Sequence, residues 1–250
     1  MPETILVTDD GPIRTIQINR PEKKNALTLA MYHALAEAIG GAATNDNIRC
    51  LIIAGHPTAF CAGNDIGEFV QMANGGGGLG EPILCFLRAL VSNERPVVAA
   101  VAGPAAGIGT TMLMHCDYVV AADNATFSTP FAALGLTPEA ASSLIAPRLM
   151  GHARAFELLV MGRPLSAEAA REAGLINTVV PLQELEAEAS RAARSISALP
   201  REVVLTARQL MRGQPDELLQ RIDEEAVLFR ERLASTEAQA AFAAFLARKG

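Results

Sequence analysis

The stretch Pro96-Val97-Val98-Ala99-Ala100-Val101-Ala102-Gly103-Pro104-Ala105-Ala106-Gly107-Ile108-Gly109-Thr110-Thr111-Met112-Leu113-Met114 carries no charge and approaches the length of a membrane span. Its punctuation argues against one. Pro104, the glycines at 103, 107 and 109, and the Thr110-Thr111 pair divide it into a buried strand, a turn and a buried helix. The same grammar recurs on both sides. Cys50-Leu51-Ile52-Ile53-Ala54 is a short continuous apolar run, as in a strand covered on both faces, and Asp117-Tyr118-Val119-Val120-Ala121-Ala122 is another. Upstream, Thr15-Ile16-Gln17-Ile18-Asn19 alternates with the period of a half-buried strand. Thr28 is placed to cap a helix carrying Met31, Leu35 and Ile39 on one face, with Gly40-Gly41 expected to end it. Ile66, Phe69, Val70 and Ala73 form a second helical stripe, and Ile83, Leu87 and Leu90 a third. Strand–helix alternation of this kind predicts an α/β architecture.

Beyond Pro181 the strand signals vanish. Residues 184–199, 201–212 and 216–232 read as charged amphipathic helices, and a last helix from about Thr236 carries Phe242, Phe245 and Leu246. Such a helical tail packs either on its own sheet or on a partner subunit. The expected organisation is a core over 1–193 and a C-terminal helical oligomerisation region over 194–250. The Asn74–Gly80 run, Asn-Gly-Gly-Gly-Gly-Leu-Gly, is expected to be a flexible loop. It is not a phosphate loop, because no Gly-Lys-Ser/Thr follows.

Composition narrows the function classes. Half of the 250 residues are hydrophobic, enough for a large core, and with no Trp and few aromatics that core must be aliphatic. The net charge of -6 argues against a nucleic-acid partner, which needs a basic face. Cys50, Cys61, Cys85 and Cys116 form no C-x-x-C and no metal-ligand pattern, and they sit in or beside apolar runs, as in a reducing compartment. The N-terminus lacks a basic region followed by an apolar stretch, and Arg248-Lys249-Gly250 is not a peroxisomal tripeptide. A cytoplasmic protein with no membrane association and no bound metal is expected.

Two loops share a design. Phe60-Cys61-Ala62-Gly63-Asn64-Asp65-Ile66 follows one buried strand and opens a helix; Gly103-Pro104-Ala105-Ala106-Gly107-Ile108-Gly109-Thr110 follows the next and opens another. Small residues let a ligand approach the backbone, and unpaired N–H groups at a helix start offer positive potential to a developing oxyanion. Each loop alone reads better as an ordinary strand-to-helix turn.

Together with their surroundings, these segments resemble the enoyl-CoA hydratase/isomerase family, the crotonase superfamily. The resemblance runs through Asn19-Arg20-Pro21, Asn25-Ala26-Leu27, Phe60–Asp65, Arg95–Val101, Cys116-Asp117 and Ala125-Thr126-Phe127, then Gly162–Ala170, Gly174–Asn177 and Val179-Val180. It implies a spiral of ββα units. It also implies an acyl-CoA thioester whose carbonyl is held by the N–H groups of Asn64 and Ile108. The substrate contacts it implies are Lys24, Asn25, Ala26, Leu27, Ala62, Asp65, Ile66, Gly107, Phe131 and Leu136. Phe242 matches an aromatic CoA contact that a neighbouring subunit often donates, in a homotrimer or dimer of trimers. No separate cofactor is implied, since coenzyme A belongs to the substrate.

Hydration of a 2-enoyl thioester needs two proton-handling groups, and hydratases of this family use two glutamates. By alignment of motifs these fall at Thr111 and Phe131, neither of which can serve. A different carboxylate is present. Leu136-Thr137-Pro138-Glu139-Ala140-Ala141-Ser142-Ser143 resembles the Ser-Pro-Glu-Gly-x-Ser-Ser segment of peroxisomal-type Δ3,Δ2-enoyl-CoA isomerases, in which a lone glutamate is the base. The resemblance implies that Glu139 moves a double bond. A hydratase, another crotonase-type enzyme and a silent acyl-CoA-binding module remain as alternatives. Read locally, Thr137 and Pro138 look like the N-cap and first residue of a helix. The dipole of that helix would lower the pKa of Glu139, while burial would raise it. Thr111 is expected to bond within its own helix.

Overall fold

The structure is a computed structural model; it describes residues 3–69 and 79–247, with the side chains of 245 and 246 excepted. Most of the Asn74–Gly80 run, with Val70 and Ala73, lies outside these residues. Among the described residues, nine strands form two sheets. β1 (Ile5–Asp10), β2 (Ile13–Ile18), β3 (Cys50–Ala54), β4 (Val97–Val101), β6 (Tyr118–Ala122) and β9 (Thr178–Val180) lie side by side in the order β1-β2-β3-β4-β6-β9. β1 is antiparallel to β2, and the remaining neighbours run parallel. β5 (Pro104–Ala106), β7 (Thr126–Ser128) and β8 (Leu165–Ser166) make a small second sheet.

The apolar runs read as doubly covered strands are covered on both sides. Leu51, Ile53, Val97, Ala99, Val101, Val119 and Ala121 face one core; Cys50, Ile52, Val98, Ala100, Val120 and Ala122 face another. The period-two alternation of a strand sends neighbours to opposite faces, so each run feeds two cores at once. α1 (Leu29–Ala43) and α3 (Glu81–Ser92) pack on the first side. α7 (Leu185–Ser197) covers the second side with Leu185, Ala189 and Ala193, spaced four apart on one face. It runs unbroken through position 194.

The repeat is visible in the chain order. β3 is followed by Cys61, bridged to Ala105, and then by α2, of which residues 66–69 are described. β4 is followed by β5 and by α4 (Ile108–Thr111), which continues as a tight turn over Met112–His115. β6 is followed by β7. The main sheet thus steps sideways while its small companion follows, which is a spiral of ββα units. The uncharged stretch from Pro96 resolves into β4, β5 and α4, and no helix among the described residues is long and apolar enough to cross a membrane.

α5 (Ser142–Leu159), α6 (Ala167–Glu172), α8 (Arg201–Arg212), α9 (Pro215–Leu233) and α10 (Thr236–Ala247) complete the chain. Two expectations are corrected. Thr28 caps α1 by accepting from the Met31 N–H, but Gly40-Gly41 does not end that helix. Ala42 is fully buried, and its packing carries the helix one turn further. Thr137 and Pro138 do not begin a helix: α5 starts at Ser142, after two left-handed residues, Ala140 and Ala141.

Candidate active site

The two loops meet along their backbones. Phe60 and Cys61 donate to the Pro104 carbonyl at 3.1 and 3.2 Å, and Ala106 donates to the Cys61 carbonyl at 2.8 Å. This short parallel ladder sets the loops side by side. Glycine makes the contact possible. Gly63 (φ 93) and Gly107 (φ 54) take backbone conformations that other residues rarely adopt, and a Cβ on Gly109 would lie 2.4 Å from the Cys61 carbonyl oxygen.

The candidate donors follow directly. Leu27 donates to Gly63 O and Asp65 donates to Leu27 O, so the Asn64 N–H is turned away from that bridge. Gly107 donates to Ser128 O, while Thr110 and Thr111 donate back to Gly107 O. The Ile108 N–H opens α4. Among the described residues, neither the Asn64 nor the Ile108 N–H donates to a protein acceptor.

Glu139 is brought to the same place from elsewhere in the chain. It is buried, and its Oε1 accepts a hydrogen bond of 2.5 Å from the Thr111 hydroxyl at the end of α4. Among the described residues, its Oε2 accepts none. Burial pushes its pKa up to about 8; the Thr111 bond opposes the rise, and the Glu225 carboxylate adds to it. Burial is the largest of these influences, and no helix begins at Thr137-Pro138 to oppose it. Thr111, expected to bond only within its helix, makes its shorter bond to Glu139 and a longer one of 3.4 Å to Gly107 O.

The loop carrying Glu139 is held on two further sides. His115 Nε2 lies 2.7 Å from Ala140 O, and burial drops the pKa of this histidine to about 4, so the ring is neutral and donates through Nε2. Glu225 of α9 accepts from the Ala141 and Ser143 N–H groups and from the Ser143 hydroxyl.

The other expected positions scatter around this centre. Lys24, left-handed and exposed, accepts at its carbonyl from the Ala62 N–H. Asn25 is a buried staple: its Oδ1 accepts from Arg20 N, and its Nδ2 donates to Ala59 O and Phe60 O. Ala26 and Leu27 continue beside the first loop. Asp65 caps α2 through Gly67 and Glu68 and pairs with Arg20 at 2.7 Å. Ile66 begins α2. Phe131 and Leu136 are both buried and joined through the Leu136 N–H and the Phe131 carbonyl. Phe242, on α10, is buried in its own chain, with its ring 5.9 Å from Phe69.

Tyr32 was not anticipated. It is buried on α1, and its hydroxyl donates to Asn64 Oδ1 at 2.5 Å, fixing the first loop from behind. Its phenol pKa is raised well above the ordinary value, by burial first and then by the neighbouring Glu139. The signal in the sequence was a tyrosine next to Met31 on a core-facing stripe, where the hydroxyl must find a partner. Among the described residues, no group of three or more His, Cys, Asp or Glu side chains is placed to hold a metal ion. A cavity of about 630 Å³ opens on the opposite side of the main sheet, under α7, and none of the site residues lines it.

Comparison with known proteins gives the chain its relatives. The profile of the enoyl-CoA hydratase/isomerase family matches residues 9–250. Enoyl-CoA delta isomerase 2 of Rattus norvegicus is 36% identical over 250 residues, which are 98% of this chain and 64% of that protein; the chain thus spans less than two thirds of that relative. A probable enoyl-CoA hydratase, echA8 of Mycobacterium bovis (strain ATCC BAA-935 / AF2122/97), is 32% identical over 248 residues, covering 99% of this chain and 96% of that one. The solved structure of Pseudomonas aeruginosa OdaA superposes with a TM-score of 0.93 at 41% identity, over 98% of this chain and 99% of its own.

Proposed function

This chain belongs to the enoyl-CoA hydratase/isomerase family, and on that premise we propose that it converts a 3-enoyl-CoA to a trans-2-enoyl-CoA. One observation carries the reading. Glu139 is a buried carboxylate bonded to Thr111, and by motif the two glutamates of the family's hydratases would fall at Thr111 and Phe131, neither of which carries a carboxylate.

The chemistry needs one base. Glu139 Oε2 takes the C2 proton of the 3-enoyl thioester. The electron pair left on C2 delocalises onto the thioester oxygen and across the C3–C4 double bond, giving a dienolate. The N–H groups of Asn64 and Ile108 form the oxyanion hole for that oxygen, a contribution worth roughly 10²–10³ in rate per donor. Glu139 returns the same proton at C4, and the double bond ends between C2 and C3, conjugated with the carbonyl. No water is consumed and no further cofactor is called for, since coenzyme A arrives as part of the substrate. A Glu139 pKa near 8 suits a group that must both take and return a proton.

The homotrimer or dimer of trimers belongs to the same proposal. α8 buries no residue and exposes Val203, Leu210 and Met211, an apolar stripe suited to a second copy of the chain. Light scattering tests it: a monomer at micromolar concentration would remove it.

The deciding experiment offers 3-hexenoyl-CoA and crotonyl-CoA to the purified protein in parallel. Isomerisation without hydration, reduced roughly 10²–10⁴-fold by Glu139→Gln, is the expected result. Hydration of crotonyl-CoA that survives Glu139→Gln would sink the proposal. Tight binding of both thioesters with no reaction would make the chain a silent acyl-CoA-binding module.

A further inference from the structure

We propose that Glu225, on α9, is a positioning residue for the Glu139 carboxylate, pinning the left-handed Ala140–Ala141 turn that carries it. The inference rests on the reading of Glu139 as the base.

The turn is the starting point. Ala140 and Ala141 have φ of 62° and 55°, a conformation disfavoured for any residue with a Cβ. Such a turn persists only where its surroundings over-determine it. Here two groups grip it. His115 holds the Ala140 carbonyl from the α4 side. Glu225 holds the other side with both oxygens: Oε2 accepts from Ala141 N at 2.6 Å, and Oε1 accepts from Ser143 N at 3.1 Å and Ser143 Oγ at 2.5 Å. Arg221, one turn earlier on α9, donates to the same Ser143 oxygen at 3.2 Å. Glu139 is the residue immediately before this turn, so its direction is set by how the turn is held.

A carboxylate at a helix start also has an ordinary use, since the first N–H groups of α5 need acceptors. What separates the two roles is charge. Glu225 is buried, which raises its own pKa against the bonds from Ser143 and Ala141, and its carboxylate adds to the rise at Glu139. The other groups around Glu139 are Thr111 from α4, Tyr32 from α1 and Cys61 from the first loop; around Glu225 they are Arg221 and Ser143. Without the Glu225 charge, Glu139 would ionise at lower pH, because a like charge nearby disfavours the ionised form. A plain helix cap moves stability alone. A positioning residue moves kcat and the acid limb of the pH profile as well.

The test is Glu225→Gln in the full chain, assayed on 3-hexenoyl-CoA across the acid limb. The expected result is a kcat lowered roughly ten- to a hundredfold with KM changed less than about threefold. The acid limb should move to lower pH, and amide exchange at Ala141 and Ser143 should quicken. Adding Ala140→Gly and Ala141→Gly should restore part of kcat, because glycine takes the left-handed turn without the steric cost. Lower stability with an unchanged kcat and acid limb would overturn the proposal. If Glu225→Gln does not fold, Ser143→Ala decides, since it removes one of the three donors but leaves the carboxylate in place: a smaller fall in kcat with quickened amide exchange at Ala141 supports the proposal, and an unchanged kcat and exchange overturn it. If the wild-type protein isomerises nothing, the base reading fails on its own. The clamp is then judged by the carboxyl titration of Glu139 followed by NMR. An unshifted titration and unaltered amide exchange in Glu225→Gln would overturn it.

Discussion

At the scale of single residues, the proposed chemistry turns on one buried carboxyl group, that of Glu139. The folded protein holds the Glu139 proton up to about pH 8, whereas an unfolded chain releases it near the ordinary glutamate value. Between those two values the native state binds more protons than the unfolded state, so this group makes stability fall as pH rises through the window. Glu139→Gln should therefore stabilise the protein above the upper value by roughly 1–3 kcal/mol, with the gain fading at low pH, as read by urea denaturation at several pH values. The same ionisation should appear in catalysis if Glu139 is the base proposed above: kcat/KM should climb with pH and level off above about 8, because a base works only when deprotonated. Thr111 pulls the other way. Its hydroxyl bonds to the charged form, so Thr111→Val should push the acid limb to higher pH and lower kcat/KM at neutral pH by roughly ten- to a hundredfold. An unmoved limb would mean that the hydroxyl does not sense the proton.

Elements show where the sequence spoke clearly and where it did not. β3, β4 and β6 were legible because strands buried on both faces leave continuous apolar runs, and α1 announced itself through Thr28. β1 was not, since it is an edge strand with most of its side chains exposed and little apolar pattern to show. The two loops were legible as loops, and their glycines as points of close approach. That Thr137-Pro138-Glu139 would not begin a helix was beyond local reading. The signal for a cap is strong there, but the segment is held instead by the bond that the Ala141 N–H donates to Glu225, 84 residues away. Tyr32 was hidden for the opposite reason, since an aromatic ring on an apolar stripe fits a core without further comment. The ladder between the loops makes its own prediction. Gly109→Ala drives a Cβ into the Cys61 carbonyl, so it should cost roughly 1–3 kcal/mol of stability and reduce kcat far more than it raises KM. Full activity in that variant would mean that the spacing of the two loops is not critical.

For the molecule as a whole, the main sheet separates two cores, and the C-terminal helices serve both. α7 closes one side, while α9 and α10 bring Phe229 and Phe242 to Phe69 on the other. Phe242→Ala should destabilise the chain by roughly 3–5 kcal/mol in urea, even where the protein is diluted to a monomer. A loss seen only in the assembled form would return that ring to a subunit interface. The reach of α9 has one more consequence. Synthesis on the ribosome proceeds from the N-terminus, so both loops and Glu139 emerge well before Glu225 does. A nascent chain can complete its main sheet and still lack the residue that locks Ala140 and Ala141. On the proposed reading, products cut short before α9 would carry both loops and Glu139 but lack the carboxylate that holds its turn, and turnover would begin only once α9 has been made.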